Sequence, residues 1–417
     1  LYKGCFWNTP HIVIYRMLSL ALKLYNNANQ HLYMTMDYPS STDCGEEINP
    51  LLIRKHTKLI RTCLDVLPSD YAVFHSTNCR WAFPFRPTIL FFMLSGMDVL
   101  GKLDASIDRP RQIEMADWVY ALQLPRGNGC LSPSRRCGGF RGCVLSVPSA
   151  GLCPYESAHL AQTYTSLCIL LILGDDFSRL DRRAILRAVA DSQGADGSFF
   201  DGDRSNENDM RFLYCACAIC YLLDDFSPIN IPSLLDFVRR SVSYDGGIAQ
   251  GPSLESHGGS TFCAVSALLL TGHLWDGSVL DSAKMERLKK WALMKQEEGF
   301  HGRTNKLDDS CYAFWVGATL SMLNALPLVD WSVLRSFLLR VQDATIGGFR
   351  RDDDSAHSDL LHTYFSLAAL GIFGEPPIRP LFVPLNISAR TYEHWQRIRR
   401  QWHDGTATGE EKQERRK

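Results

Sequence analysis

The strongest constraint in this sequence is a glycine-marked turn that returns about every 50 residues. The first copy is Gln193-Gly194-Ala195-Asp196-Gly197-Ser198-Phe199 and the second is Tyr244-Asp245-Gly246-Gly247-Ile248. Glu298-Gly299-Phe300-His301-Gly302 and Gly347-Gly348-Phe349 follow. Gly197 to Gly247 is 50 residues, Gly247 to Gly299 is 52 and Gly299 to Gly348 is 49. Cys137-Gly138-Gly139-Phe140 is a looser fifth copy, and the helical segment 88–100 fits a sixth that lacks the glycines. A fixed period of this length marks a repeat architecture.

Each unit has the same grammar. A polar amphipathic helix comes first, as in 282–296 and 331–342. A glycine turn follows, where left-handed backbone is cheap. After roughly ten polar residues the unit ends in a strongly apolar helix: 210–223, 261–270, 312–323 and 362–370. Those helices carry little charge and must be buried nearly all round, whereas the polar ones can face water. Such a unit cannot bury its apolar face alone, so neighbours stack. The expectation is an all-α fold, a closed ring of helix pairs with one buried and one outer helix in each unit. An open superhelix has the same local signature.

Other classes fall away on composition. Lys+Arg 44 against Asp+Glu 45 gives a net charge of -1, without the basic excess of a nucleic-acid binder. No run approaches the roughly 20 apolar residues of a membrane helix. The 14 cysteines include Cys215, Cys217 and Cys220 in an apolar segment, which suits buried free thiols in a cytoplasmic protein rather than a disulfide framework. The Cys217/Cys220 pair has no second pair at zinc-finger distance. Residues 1–53 carry no repeat, 54–380 form the toroid, and 381–417 read as a C-terminal extension with a frayed, charged tail.

The repeat also places a site. Polar residues recur between each glycine turn and the apolar helix after it: Asp209 and Arg211, then His257, then Asp309 and Cys311, then Asp359 and His362. Equivalent positions in a ring converge on one end of its axis, and an apolar mouth rimmed by polar groups is the default binding site. Asp309, Cys311 and His362 offer a carboxylate, a thiolate and an imidazole. Three mixed ligands with an open position fit catalytic zinc, and a thiolate disfavours Mg or Ca. The plainer alternative is a helix cap, a buried cysteine and a core histidine. Arg303, Lys306, His257 and the hydroxyl of Tyr312 could hold a diphosphate. The helix start behind His257 adds backbone donors and a favourable dipole. A solvated loop is the alternative there. Phe91, Phe92, Tyr164, Tyr214, Phe262, Phe314, Trp315, Tyr364 and Phe365 sit in the apolar helices. Most are core, but a cavity walled by several would suit a long isoprenoid chain.

At these residues the chain resembles the beta subunits of protein prenyltransferases, and most of all protein geranylgeranyltransferase type I. The phrases that carry the resemblance are Asn208-Asp209-Met210-Arg211-Phe212, Tyr244-Asp245-Gly246-Gly247-Ile248-Ala249-Gln250-Gly251-Pro252, 255–263, 301–306, 309–319 and Gly174-Asp175-Asp176-Phe177-Ser178-Arg179. It runs from about residue 54 to residue 403, and it implies an alpha-alpha toroid of six inner and six outer helices, in agreement with the repeat. It implies one zinc ion on Asp309, Cys311 and His362, and diphosphate contacts from His257, Arg303, Lys306 and Tyr312. Arg211 matches a position near the carboxy-terminus of a bound peptide. It implies a heterodimer with a helical-repeat alpha subunit shared with farnesyltransferase. The donor is then geranylgeranyl diphosphate and the acceptor a C-terminal CaaX cysteine, X mostly Leu, on Rho-, Rac- or Rap-type small GTPases.

The resemblance also bears on donor length. Thr88 matches a position where farnesyltransferases carry tryptophan, and Leu361 one where they carry tyrosine. With Phe92, these two favour a 20-carbon donor. Farnesyltransferases use an aspartate to help bind Mg where type I geranylgeranyltransferases usually have lysine. Here the position is Arg351 counted from Gly348, or Asp352 counted back from His362. Arg351 is preferred, and Mg is then not required. Rivals are a farnesyltransferase or Rab-type beta subunit, a terpene cyclase or carbohydrate-cleaving toroid, and a non-enzymatic scaffold. The cyclase would need a DxDD-like acid cluster, whose spacing Asp352-Asp353-Asp354 lacks.

Overall fold

The apolar segments form six helices, and their neighbours close a circle. In the computed structural model, which describes residues 51–69, 86–124, 138–142, 158–202 and 207–414, these are α2 (Arg86–Val99), α5 (Leu160–Ile172), α7 (Met210–Leu222), α9 (Gly258–Leu270), α11 (Tyr312–Met322) and α13 (Leu360–Ile372). Each packs on the next, and α13 packs back on α2. The ring is therefore closed. Six polar helices alternate with them: α1 (Ile53–Ser69), α4 (Arg109–Ala121), α6 (Arg182–Ser192), α8 (Ile231–Ser241), α10 (Ser282–Leu293) and α12 (Trp331–Arg340). A four-residue helix, α3 (Leu103–Ser106), joins α2 to α4. Residues 1–50 and Cys137 lie outside the described residues.

Outer helices start where a short polar side chain caps them. Asp108, Asp181, Asn230, Asp281 and Asp330 each accept a hydrogen bond from the backbone three residues on. They bury one stripe only, as in α8 with Leu234, Leu235, Phe237 and Val238. The inner helices are buried on nearly every face; all but one residue of α5 is inside. That difference is what the charge pattern anticipated.

The glycines recur because each turn is pressed against the outer helix of the next unit. A β-carbon on Gly197 would lie 2.0 Å from the carbonyl oxygen of Ser233 in α8. One on Gly347 would lie 2.3 Å from that of Lys55 in α1. Both also take positive φ, +87° and +85°. The last turn thus uses the first outer helix as if it were the next in line. The apolar residue after three of the turns is then fixed by a threonine of the inner helix: Phe140, Ile248 and Phe349 donate their backbone N–H to Thr163, Thr261 and Thr363, each at 3.0 Å.

A glutamine clamp repeats the same cyclic logic. Gln193 exchanges two hydrogen bonds with the backbone of Asn230, and Gln296 does so with Asp330. Gln342 accepts from Leu52 N at 2.9 Å and meets His56 Nε2 at 2.9 Å. His56 Nδ1 accepts from Gly348 N at 2.8 Å and its ring stacks on Phe349.

Residues 381–388, read from the sequence as the start of a C-terminal extension, form a two-residue antiparallel pair, β1 (Leu381–Phe382) and β2 (Ile387–Ser388), around the turn Val383–Leu385. That turn packs on α9 and α11 inside the ring. The tail was expected to fray, yet α14 (Ala389–Glu414) is helical and its first half is docked. Trp395 and Ile398 are buried, and the Trp395 indole donates to Leu222 O at 3.0 Å. Two apolar side chains on one face hold it there. Among the described residues no helix is long and apolar enough to cross a membrane.

Candidate metal and substrate site

The polar rim is built from the starts of the inner helices. His159, Asp209, His257 and Asp359 are the N-caps of α5, α7, α9 and α13, and Cys311 occupies that position before α11. The recurring offset read from the sequence is thus a capping position first. The caps face one end of the barrel, because each inner helix start is stitched to the following unit: Leu160 N to Asp201 O, Met210 N to Gln250 O, Gly258 N to Gly302 O, Ser310 N to Arg351 O.

Asp309, Cys311 and His362 come together. One ligand atom from each lies within 4.8 Å of the others. His362 Nε2 is 3.3 Å from Asp309 Oδ1, and its Nδ1 is 2.6 Å from Asp359 Oδ2. Asp309 also accepts the backbone N–H of Cys311 at 2.9 Å, which fixes the carboxylate beside the sulfur. Burial opposes charge on His362, but Asp359 and Asp309 together hold its pKa well above the ordinary value. Burial also opposes the Asp309 carboxylate, yet His362 keeps its pKa low. Burial and then the Asp309 charge push the Cys311 thiol up. Two carboxylates and one buried thiol around an imidazole make a site that favours a cation. The N/S/O donor set suits zinc, and a histidine whose second nitrogen is held by a carboxylate is the usual support for such a ligand.

The residues expected to hold a diphosphate lie alongside. His257 Nδ1 accepts from Gly259 N at 3.0 Å and from Ser260 N at 3.4 Å, so its proton resides on Nε2, 2.9 Å from the Tyr312 hydroxyl. The backbone donors of this helix start are therefore occupied by His257 itself and by Gly302 O. They do not serve an anion, as the sequence suggested. The Tyr312 ring fits a slot without side chains: a β-carbon on Gly302 would lie 2.0 Å from it. Burial first, then the Cys311 and Asp309 charges, raise the Tyr312 pKa well above its ordinary value, so it stays a hydroxyl. Arg303 is half-buried and pairs with Glu255 at 3.4 Å, and Lys306 is exposed.

Below the rim, aromatic side chains form a circuit through all six inner helices. Phe91 meets Tyr164, Tyr164 meets Tyr214, Tyr214 meets Phe262, and Phe262 meets Phe314 and Trp315. Both of the latter reach Phe365, which meets Phe92 at 5.6 Å. Thr88 and Leu361 lie one helical turn above Phe92 and Phe365, hence on the same two faces. Thr88 Oγ1 bonds Gln162 Oε1 at 3.3 Å, and Leu361 is buried. Arg351 pairs with Asp352 at 2.7 Å, and the chain at this point hangs on Ser310 beside the triad.

Arg211 pairs with Asp209 at 2.6 Å and Glu207 at 3.7 Å. Beside it stands a group the sequence reading missed. His159 Nε2 is 3.5 Å from Asp201 Oδ2, and burial followed by the competing Asp201 and Arg211 charges lowers its pKa. A signal was available: His159 and Thr163 repeat the spacing of His257 and Thr261.

Residues 51–398 match the prenyltransferase alpha-alpha toroid domain. The chain is 35% identical over 349 residues to the geranylgeranyl transferase type-1 subunit beta of Dictyostelium discoideum, covering 81% of this chain and 95% of that one. It is 35% identical over 315 residues to the same subunit of Arabidopsis thaliana, covering 72% and 82%. The solved Candida albicans protein geranylgeranyltransferase-I complexed with GGPP superposes with a TM-score of 0.71 at 25% identity, covering 84% of this chain and 99% of that one.

Proposed function

The chain belongs to the prenyltransferase alpha-alpha toroid family, and from that premise we infer that it is the catalytic beta subunit of a protein geranylgeranyltransferase type I. Its substrates are geranylgeranyl diphosphate and the C-terminal CaaX cysteine of small GTPases. Its partner is a prenyltransferase alpha subunit, in the cytoplasm. The observation that carries this reading is the adjacency, at one mouth, of the Asp309–Cys311–His362 set, the Tyr312–His257 pair and the aromatic circuit. A scaffold has no use for that combination.

Zinc held by Asp309, Cys311 and His362 would supply the acceptor cysteine with a thiolate at neutral pH. The thiolate sulfur attacks C1 of the donor. The C1–O bond breaks as the S–C1 bond forms, and diphosphate leaves with the electron pair. Asp359 fixes the His362 ring so that Nε2 faces the site. His257 donates its Nε2 proton to Tyr312 Oη, which turns the tyrosine's own proton outward to the leaving oxygen. Such preorganised donors act where charge develops. Arg303 exchanges Glu255 for phosphate oxygens, and Lys306 adds a second positive charge. Arg211 and its acidic neighbours meet the peptide end. The side chains of Thr88, Phe92 and Leu361 leave room for a fourth isoprene unit. Arg351 stands in for Mg.

The test is transfer of labelled geranylgeranyl and farnesyl groups to a Leu-ended CaaX peptide by this chain co-expressed with an alpha subunit, with and without Mg. Geranylgeranyl transfer that survives Mg removal supports the reading. No transfer of either group by a zinc-loaded dimer sinks it, and farnesyl preference would make the chain a farnesyltransferase subunit.

A further inference from the structure

One buried carboxylate, remote from the metal site, gathers the whole C-terminal turn. Asp98 lies near the end of α2 and has no exposed surface. Its Oδ1 accepts from Arg379 Nη1 at 2.9 Å and Arg390 Nε at 2.7 Å. Its Oδ2 accepts from the hydroxyls of Ser388 and, at 2.7 Å, Thr391. A buried charge persists only when it is paired and hydrogen-bonded, and this one is. All four donors belong to residues 379–391, so Asp98 pins both ends of the segment that enters the barrel.

The segment between those ends reaches the aromatic circuit through three consecutive carbonyls. Tyr214 donates to Pro384 O at 3.1 Å, Tyr164 to Leu385 O at 2.7 Å and Tyr364 to Asn386 O at 2.8 Å. Tyr214 also donates to the Tyr164 hydroxyl at 3.1 Å. The three tyrosines come from α7, α5 and α13. A hydroxyl fixed to a backbone carbonyl fixes the tilt of its ring, and these rings stand edge to face with their neighbours, Tyr164 against Tyr214 at 5.4 Å and Tyr364 against Phe91 at 5.6 Å. The path from Asp98 to the circuit is continuous: carboxylate, pinned turn, carbonyls, hydroxyls, rings.

We propose that Asp98 is a positioning residue for donor selection: by anchoring residues 379–391 it sets the tyrosine rings that meet the far end of the prenyl chain. This rests on the reading of the aromatic circuit as the donor pocket. Loosening the anchor lets the rings move and blurs the distinction between chain lengths, while the peptide and metal sites, which Asp98 does not touch, are unaffected.

The test uses the heterodimer with Ser388→Ala and Thr391→Val combined, which leaves Asp98 paired with both arginines. The readouts are kcat/KM for geranylgeranyl and farnesyl diphosphate, KM for the peptide, and Tm. The expected result is a 20- to 15-carbon preference reduced about tenfold with peptide KM unchanged. A lower Tm with an unchanged preference overturns the positioning role and leaves Asp98 a structural residue. Arg390→Ala and Arg390→Lys give a second, independent comparison: the alanine variant blurs the preference and the lysine variant restores it, and equal preference in both overturns the proposal. A wild-type heterodimer that transfers neither group overturns the donor-pocket reading itself, which distinguishes the two failures.

Discussion

Asp359 holds His362 twice. Its Oδ1 accepts the histidine's backbone N–H at 2.9 Å and its Oδ2 lies 2.6 Å from the ring Nδ1. One carboxylate thus starts helix α13 and orients the metal-facing nitrogen. Replacing it with asparagine separates the two duties, because asparagine caps a helix as well as aspartate does. The Asp359→Asn variant is expected to fold normally and to bind zinc about 10- to 100-fold more weakly. Competition with a calibrated chelator measures this, and unchanged affinity would remove Asp359 from the metal's support.

Cys311→Ala goes further. It deletes the only sulfur among the three candidate ligands. Zinc content and prenyl transfer are expected to disappear together, with Tm changed little in the described core. Retained zinc with normal turnover would exclude the triad as the metal site.

Thr88 stands one turn above Phe92, on the face that meets Phe365. Thr88→Trp fills the space there and is expected to shift donor preference toward the 15-carbon chain by roughly tenfold or more. Competition between the two labelled donors reads the ratio directly. An unchanged ratio refutes Thr88 as the length gate.

The glycine turns are tested by a matched pair. Gly272 and Gly347 have nearly the same φ, +82° and +85°, but a β-carbon at Gly272 meets nothing within 4 Å whereas one at Gly347 meets Lys55 O at 2.3 Å. Gly272→Ala is expected to cost about 1 kcal/mol from backbone strain alone. Gly347→Ala must in addition push α1 off the ring and is expected to cost several times as much. Equal losses in thermal denaturation would mean that contact with the next helix is not why the glycine is there.

His56 gives a pH dependence. Burial, opposed by its bond to Gln342, lowers its pKa from 6.5 to about 4. The folded ring stays neutral while the unfolded one takes a proton below 6.5. The stability it contributes is therefore intact above pH 6.5 and is lost as pH falls toward 4, by about 3 kcal/mol over that window. Denaturant midpoints of wild type and His56→Gln at pH 7.5 and 5 should show a steeper acid loss in the wild type. Parallel loss would place the sensitivity elsewhere.

Much of this was legible in the sequence because repetition exposes geometry. The period in the glycines marks where each unit touches the next, and the alternation of charged and uncharged helices marks outside and inside. Asp309, Cys311 and His362 were legible because they fall 10 to 14 residues past the turn glycines of two successive units. What stayed hidden depends on contacts that no spacing records. His257 uses its own ring to satisfy the helix start that seemed open to an anion. His159 was missed because its partner, Asp201, sits in a different loop 42 residues away. The inward course of residues 381–388 was hidden because its signal is Asp98, nearly 300 residues upstream, on another helix.

The glutamine clamp, in which the Gln342 side chain accepts the backbone N–H of Leu52, joins residues 290 apart in the chain. During synthesis the first outer helix leaves the ribosome long before the last turn that must cover it. At roughly 5 to 20 residues per second that interval is about 15 to 60 seconds. Among the described residues α6, α8, α10 and α12 each receive their turn from the unit made just before them, but α1 waits for the whole ring. Its unpaired face, and the open edge of α2 beside it, are therefore where a nascent chain of this kind is most exposed to misassembly and most in need of a chaperone.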